Sequence, residues 1–242
     1  MIIGIHQPEH FPYLGFFQKM SKCDVFVILD NVKFKKNNFQ NRNKYLNPHT
    51  EKEEWFTIPV SKKSNSMLIN EIKVEDGVWR KKIKKQLSQR FPKHNISNIY
   101  DYDNLLDINM DSIEYCAHHL GIDDVDIYYS SDLEVEGNKT ELLYNICKEL
   151  KGTKYISGQG GIDYLDTDNY FKDIELEIFE GLIGVEAGTF YPPTFWFDVS
   201  NEVFIRSKAH FVGDIVTINK DDTFFSYEPK NGENPRLSSS QN

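Results

Sequence analysis

His6 stands at the end of the apolar run Ile2 to Ile5, where a buried strand gives way to the loop His6-Gln7-Pro8. An imidazole there suits a general base or a ligand for a phosphate oxygen. A structural histidine bonded to backbone is the plainer alternative. Gln7, Pro8 and Pro12 make a stiff loop that leads into a helix N-terminus, which favours anions. His10, in the same loop, is a further candidate. Asp30 closes a second apolar run, DVFVILD at 24–30. With no adjacent basic residue, it suits an amine, a sugar hydroxyl or a proton, or else a cap on the following turn.

Residues 33–44, KFKKNNFQNRNK, mix cations with amides. Lys36, Arg42 and Lys44 suit phosphates, with Arg42 able to grip two oxygens at once. Gln40, Asn41 and Asn43 offer paired donors and acceptors for sugars or bases, and Phe39 a ring to stack on. A solvated loop is the bland reading. The third place is Ser157-Gly158-Gln159-Gly160-Gly161, which follows a short strand. It is neither a GxGxxG fingerprint nor a Walker A loop, and serves as a tight turn or a phosphate cradle. Five of the six residues from Arg80 to Lys85 are basic. They form either a solvated helix face or a contact for a nucleic-acid backbone.

These places matter only if strands and helices bring them together. Ile2 to Ile5, a helix opened by Pro12, and 24–30 make a βαβ unit. WFTIPV (55–60) and 67–74 are expected to pair as an antiparallel hairpin. Helices are expected over 77–91, 108–120 and 139–151, and strands over 125–131, 154–157 and 174–180. The alternation predicts an α/β fold: a doubly wound, mostly parallel sheet with an inserted β-hairpin at about 55–75 and a less regular C-terminal part. There YPPTFWFDV reads as a loop and 203–218 holds strand-like runs. A single domain over 1–227 and a flexible tail at 228–242 complete the expectation. In such a sheet ligands bind at the carboxyl ends of strands, where His6, Asp30 and Ser157 are expected to meet.

The 242 residues are ample for a core. The net charge of −9 is unevenly spread. Residues 33–93 hold 16 basic against 6 acidic side chains, and 101–136 hold 11 acidic and no Lys or Arg. One face would favour an anion and another repel it, or the two neutralise each other in the fold. The start MIIGIHQPEH has no basic leader and no apolar run is long enough for a span, so a cytoplasmic protein is expected. Cys23, Cys116 and Cys147 read as reduced core thiols. There is no GxSxG, HExxH or CxxC, and the adjacent rings of His118 and His119 diverge, so no metal site is expected.

Taken together, IHQPEHFPYLGFFQKM, DVFVILDNVKF, FQNRNKY, WFTIPV, SSDL with KTELL, and YISGQGGIDYLD resemble the WbqC-like protein family over residues 1–180. The resemblance implies work in surface-polysaccharide (O-antigen) biosynthesis. The leading expectation is a transferase that joins an aminoacyl group, such as glycyl, to the amino group of a nucleotide-linked 4-amino-4,6-dideoxy sugar. His6 or Asp30 would be the base. Gln7 and Asn41 would hold the oxyanion, and Lys36, Arg42 and Lys44 the diphosphate. The motifs themselves imply no cofactor. The acyl group would come from aminoacyl-tRNA, held through Arg80 to Lys85, or from an adenylate made with ATP. The alternatives are an ATP-dependent ligase and a non-enzymatic nucleotide-sugar binding protein. A homodimer is compatible with the aromatic content.

Overall fold

A computed structural model describes residues 1–46, 53–90, 96–161 and 164–179, and the backbones of four later strands. In chain order the elements are β1 (Ile2–His6), α1 (Leu14–Ser21), β2 (Val25–Ile28), β3 (Arg42–Leu46), β4 (Glu53–Thr57), α2 (Trp79–Arg90), α3 (Leu105–His119), β5 (Asp126–Tyr129), α4 (Thr140–Glu149), β6 (Lys154–Gly158) and β7 (Glu175–Phe179). Then come β8 (Thr194–Phe197), β9 (Val203–Arg206), β10 (Ile215–Ile218) and β11 (Phe225–Glu228).

Five strands form a parallel sheet in the order β5-β2-β1-β6-β7. The chain starts in the middle, moves out through β2 to β5, then returns to the other side of β1 for β6 and β7. The sheet is therefore doubly wound, as expected, and its direction switches between β1 and β6. Two-residue periodicity sorts the side chains. Ile3, Ile5, Val25, Val27 and Tyr155 bury against Leu142, Leu143, Ile146 and Cys147 of α4. Phe26, Ile28 and Ile156 face the other way, into a cluster with Phe16, Phe17 and Met20 of α1 and Ile108, Ile113 and Cys116 of α3. With apolar layers on both faces, β1 and β2 can be the unbroken apolar runs seen in the sequence.

Element ends moved by a turn or less. α1 begins after Tyr13, its N-cap, so Pro12 sits just upstream of the helix. α3 starts at Leu105 because the Asn104 side chain accepts from Leu106 N–H at 2.7 Å. The antiparallel pairing is a larger change. β4 pairs with β3, Lys44 opposite Trp55 and Asn43 opposite Phe56. Residues 62–66 and 69–71 are 3-10 turns, and the flanking Val60 and Val74 meet as an isolated antiparallel bridge. Ile69 and Ile72 are both fully buried, a spacing of three that suits such a turn and defeats a strand, whose faces alternate.

β3 also pairs parallel with β8, and β8 antiparallel with β9, giving the order β4-β3-β8-β9. Thr194–Phe197 is thus a strand inside the segment expected to be a loop. Its Phe and Trp residues favour one, whereas the expectation leaned on the preceding prolines. β10 and β11 form a separate antiparallel pair. Of the expected tail, 228–242, Glu228 ends β11 and the rest lies outside the described residues. Among the described residues no helix is long and apolar enough to cross a membrane.

Candidate functional site

In doubly wound sheets the crevice that takes ligands lies at the carboxyl ends of the strands where the direction switches, here between β1 and β6. Gly4 of β1 lies beside Ile156 of β6, and continuing that register sets His6 beside Gly158. A Cβ added at Gly158 or Gly160 would meet nothing within 4 Å, so the backbone of this turn borders open space. Ser157 is buried, its Oγ 3.3 Å from the Gly158 carbonyl. A Cβ on Gly161 would strike that Oγ, so the glycine is required where the turn folds over Ser157.

His6 is half-buried, its ring edge-on to Phe16 at 4.9 Å. Its Nδ1 lies 2.9 Å from the Gln7 carbonyl. A carbonyl only accepts, so Nδ1 carries the proton and Nε2 keeps its lone pair. Burial, then the Lys19 ammonium, pushes this imidazole down to about 3, and the bond to Gln7 works the other way. The ring is thus neutral, with one nitrogen anchored and the other ready to accept.

Two ionisable neighbours carry no sequence expectation. Lys19 is 2% exposed and donates from Nζ to the Ile5 carbonyl at 2.8 Å, just below His6. Burial lowers it to about 8, while Cys23 and Glu9 pull the other way. Burial raises Glu9 to about 7 against the opposing field of Lys19. A signal was present: Lys19 is three residues from Phe16, on the stripe that α1 turns inward, where a lysine is out of place.

The loop after β1 is clamped from two sides. Asn109 Nδ2, on α3, donates to the carbonyls of Gln40 at 2.8 Å and Pro8 at 3.4 Å. Ser112 Oγ accepts from Phe11 N–H at 3.0 Å. Asn43 Nδ2 donates to the carbonyls of Phe11 at 2.6 Å and His10 at 3.1 Å, and so holds Phe11 at a φ of +48°. Gln40 Nε2 donates to Gln7 Oε1 at 2.7 Å, and its own Oε1 accepts from Lys35 N–H at 2.8 Å. Asn41 is 1% exposed, bonded to the Ile58 carbonyl at 3.0 Å and to Asn37 N–H at 2.9 Å. Gln40 and Asn43 therefore hold the His6 loop, while Asn41 braces its own loop against Ile58. Phe39 is half-buried and accepts from His10 N–H at 2.7 Å through its carbonyl.

Other expected site residues are spent internally. His10 is fully buried among Phe11, Phe56 and Tyr100, with Nε2 3.2 Å from the Tyr100 hydroxyl and no partner for Nδ1 among the described residues. Burial pushes it down to about 3. The carboxylate of Asp30 is 1% exposed and meets Ser130 Oγ at 2.9 Å, Ser131 N at 2.9 Å, Ser131 Oγ at 2.7 Å and Asn70 Nδ2 at 3.3 Å. With four donors on two oxygens, it ties the end of β2 to the turn after β5. These bonds make Asp30 a structural knot. Lys36 Nζ caps the carbonyls of Val60 at 2.8 Å and Ser61 at 3.2 Å. Arg42 and Lys44 instead lie over the Trp55 ring, at 4.6 Å and 5.0 Å from its centroid. On α2, Arg80 binds the Tyr100 and Tyr102 carbonyls and Asp103, and Lys84 pairs with Asp101. These bonds join part of the basic run to the acidic one, leaving Lys81, Lys82 and Lys85 exposed on one face.

The chain is 25% identical over 188 residues to an uncharacterized protein, Rv1507c, of Mycobacterium tuberculosis, covering 73% of this chain and 80% of that one. No solved structure matches the chain significantly. Residues 7–181 match the WbqC-like protein family, a stretch that contains four of the five strands of the parallel sheet and begins directly after β1 and His6. The chain belongs to the WbqC-like protein family.

Proposed function

We propose that the crevice between β1 and β6 transfers an aminoacyl group to the amine of a nucleotide-linked amino sugar. The family points to polysaccharide- and sugar-related biosynthesis. The acceptor, a 4-amino-4,6-dideoxy sugar, and the activated donor, an aminoacyl ester on tRNA or an adenylate, belong to this reading. The observation that carries it is His6: a neutral imidazole with Nδ1 anchored on Gln7, beside the open backbone of Gly158.

In the reaction the sugar nitrogen attacks the donor carbonyl, and the amide C–N bond forms as the ester or anhydride C–O bond breaks. The attacking nitrogen becomes cationic in the tetrahedral intermediate and therefore strongly acidic, so His6 Nε2 takes its proton. The Lys19 charge and the N–H groups of the Gly158 turn stabilise the oxyanion. Glu9, raised to about 7, returns a proton to the leaving oxygen.

Purified protein, amino-sugar nucleotide and aminoacyl donor should give a product heavier by one aminoacyl residue. His6→Ala should lower the rate about 10²–10⁴-fold with the fold intact. Unchanged turnover in His6→Ala would remove this reading. A non-catalytic nucleotide-sugar binder is the second reading, favoured by the saturation of Asp30. Ligand binding without any turnover in the wild-type chain selects it.

A further inference from the structure

The outer face of the β3–β4 hairpin differs from its inner one. Asn43 and Phe56, opposite each other, point inward and are buried. One residue on, Lys44 and Trp55 are opposite each other and point outward, with Trp55 49% exposed. Arg42, two residues before Lys44, shares that face.

Arg42 is the unusual member. Its guanidinium lies 4.6 Å from the Trp55 ring centroid, is half-buried, and makes no hydrogen bond or ion pair with any described residue. Arg80 shows the contrast, with donors spent on two carbonyls and a carboxylate. Stacking on indole holds a guanidinium flat at little entropic cost and leaves its N–H fork at the ring edge. A flat, unspent fork with a second cation on the same ring matches the oxygens of a phosphate ester. The exposed part of the indole offers a π-face to a base attached to that phosphate. Arg42 is also two residues from Gln40, which is bonded to Gln7 beside His6. A chain step of that length spans at most about 7 Å.

We propose that Arg42 and Trp55 form a nucleotide platform beside Lys44, taking the diphosphate on the guanidinium and the base on the indole of a nucleoside diphosphate group. The proposal deepens the transferase reading and rests on it only for the sugar carried by that group. Phosphate with an attached base is also the chemistry of an unpaired RNA end. The small ligand is favoured because the platform is one indole wide, enough for a single base.

The test is calorimetric titration of the full chain with UDP, dTDP, inorganic pyrophosphate and the trinucleotide CCA. UDP or dTDP should bind, more weakly as salt rises. Arg42→Gln and Trp55→Ala should each weaken binding about tenfold or more, while Trp55→Phe keeps most of it. Pyrophosphate should respond to Arg42→Gln and not to Trp55→Ala. Both side chains lie on the outer face, so unfolding midpoints should match the wild type. Three results overturn the proposal: neither nucleotide binds, both variants bind like the wild type, or CCA binds more tightly than either nucleotide. Binding with the expected variant losses but no acyl transfer keeps the platform and removes the transferase. Acyl transfer unaffected by Arg42→Gln and Trp55→Ala does the reverse.

Discussion

At the scale of residues, His6 and Asp30 end neighbouring strands, and their surroundings give them opposite work. His6 spends one nitrogen on Gln7 and keeps the other. Asp30 has both oxygens covered by four donors, in a place water does not reach. Asp30→Ala leaves those donors buried without an acceptor and should destabilise the fold by about 3 kcal/mol or more, read as a lower urea midpoint. Loss of activity without loss of stability would instead restore a chemical role. From the sequence the two residues looked alike, each polar at the end of an apolar strand. The donors that separate them come from residues 70, 130 and 131, too far along the chain for local pattern to join. Lys19 was legible in principle, as a cation on an apolar helical stripe. Glu9 was not, because its neighbours in sequence give no hint of burial.

The elements around the crevice explain why the amides of 40–43 are there. A loop entering α1 through a left-handed Phe11 needs external clamps, and Asn43, Gln40, Asn109 and Ser112 supply them. Asn43→Ala removes donors to two buried carbonyls and should cost about 2 kcal/mol, read as a lowered melting temperature. The glycines of the turn after β6 should divide. Gly161→Ala drives a Cβ into Ser157 Oγ and should destabilise, whereas Gly158→Ala projects into open space and should fold normally. If the crevice binds substrate, Gly158→Ala should still raise KM. The helices and parallel strands were legible because their apolar periodicity is local. The hairpin partner was not: Val and Ile content at 67–74 suggested a strand, and only the burial of both Ile69 and Ile72 shows a turn.

For the whole molecule, the buried ionisable groups set the pH response. His6 and His10 are held at about 3 against an ordinary 6.5, so between those values the unfolded chain takes up protons that the folded one refuses. Their contribution is complete above 6.5 and is lost as the pH falls towards 3. Glu9, raised from 4.5 to about 7, acts in the opposite sense and loses its contribution as the pH rises through that window. Two histidines against one glutamate make stability rise with pH between about 4.5 and 6.5. Urea midpoints measured across that range should show the rise, and His10→Gln should flatten it.

The sequence by itself determined the layers. Apolar runs covered on both faces, amphipathic helices and their caps require a parallel, doubly wound sheet, because each pattern is repeated within a few residues. It also marked His6, Asp30 and Ser157 at the strand ends where such sheets bind ligands. Only the tertiary structure decided which polar groups remain available. That outcome depends on partners far apart in the chain: Ser130 on Asp30, Val60 on Lys36, Asn109 on Gln40, and Trp55 beneath Arg42. Hydrogen bonds act only over contact distances, so the sequence could name the donors and acceptors while the fold chose their pairs.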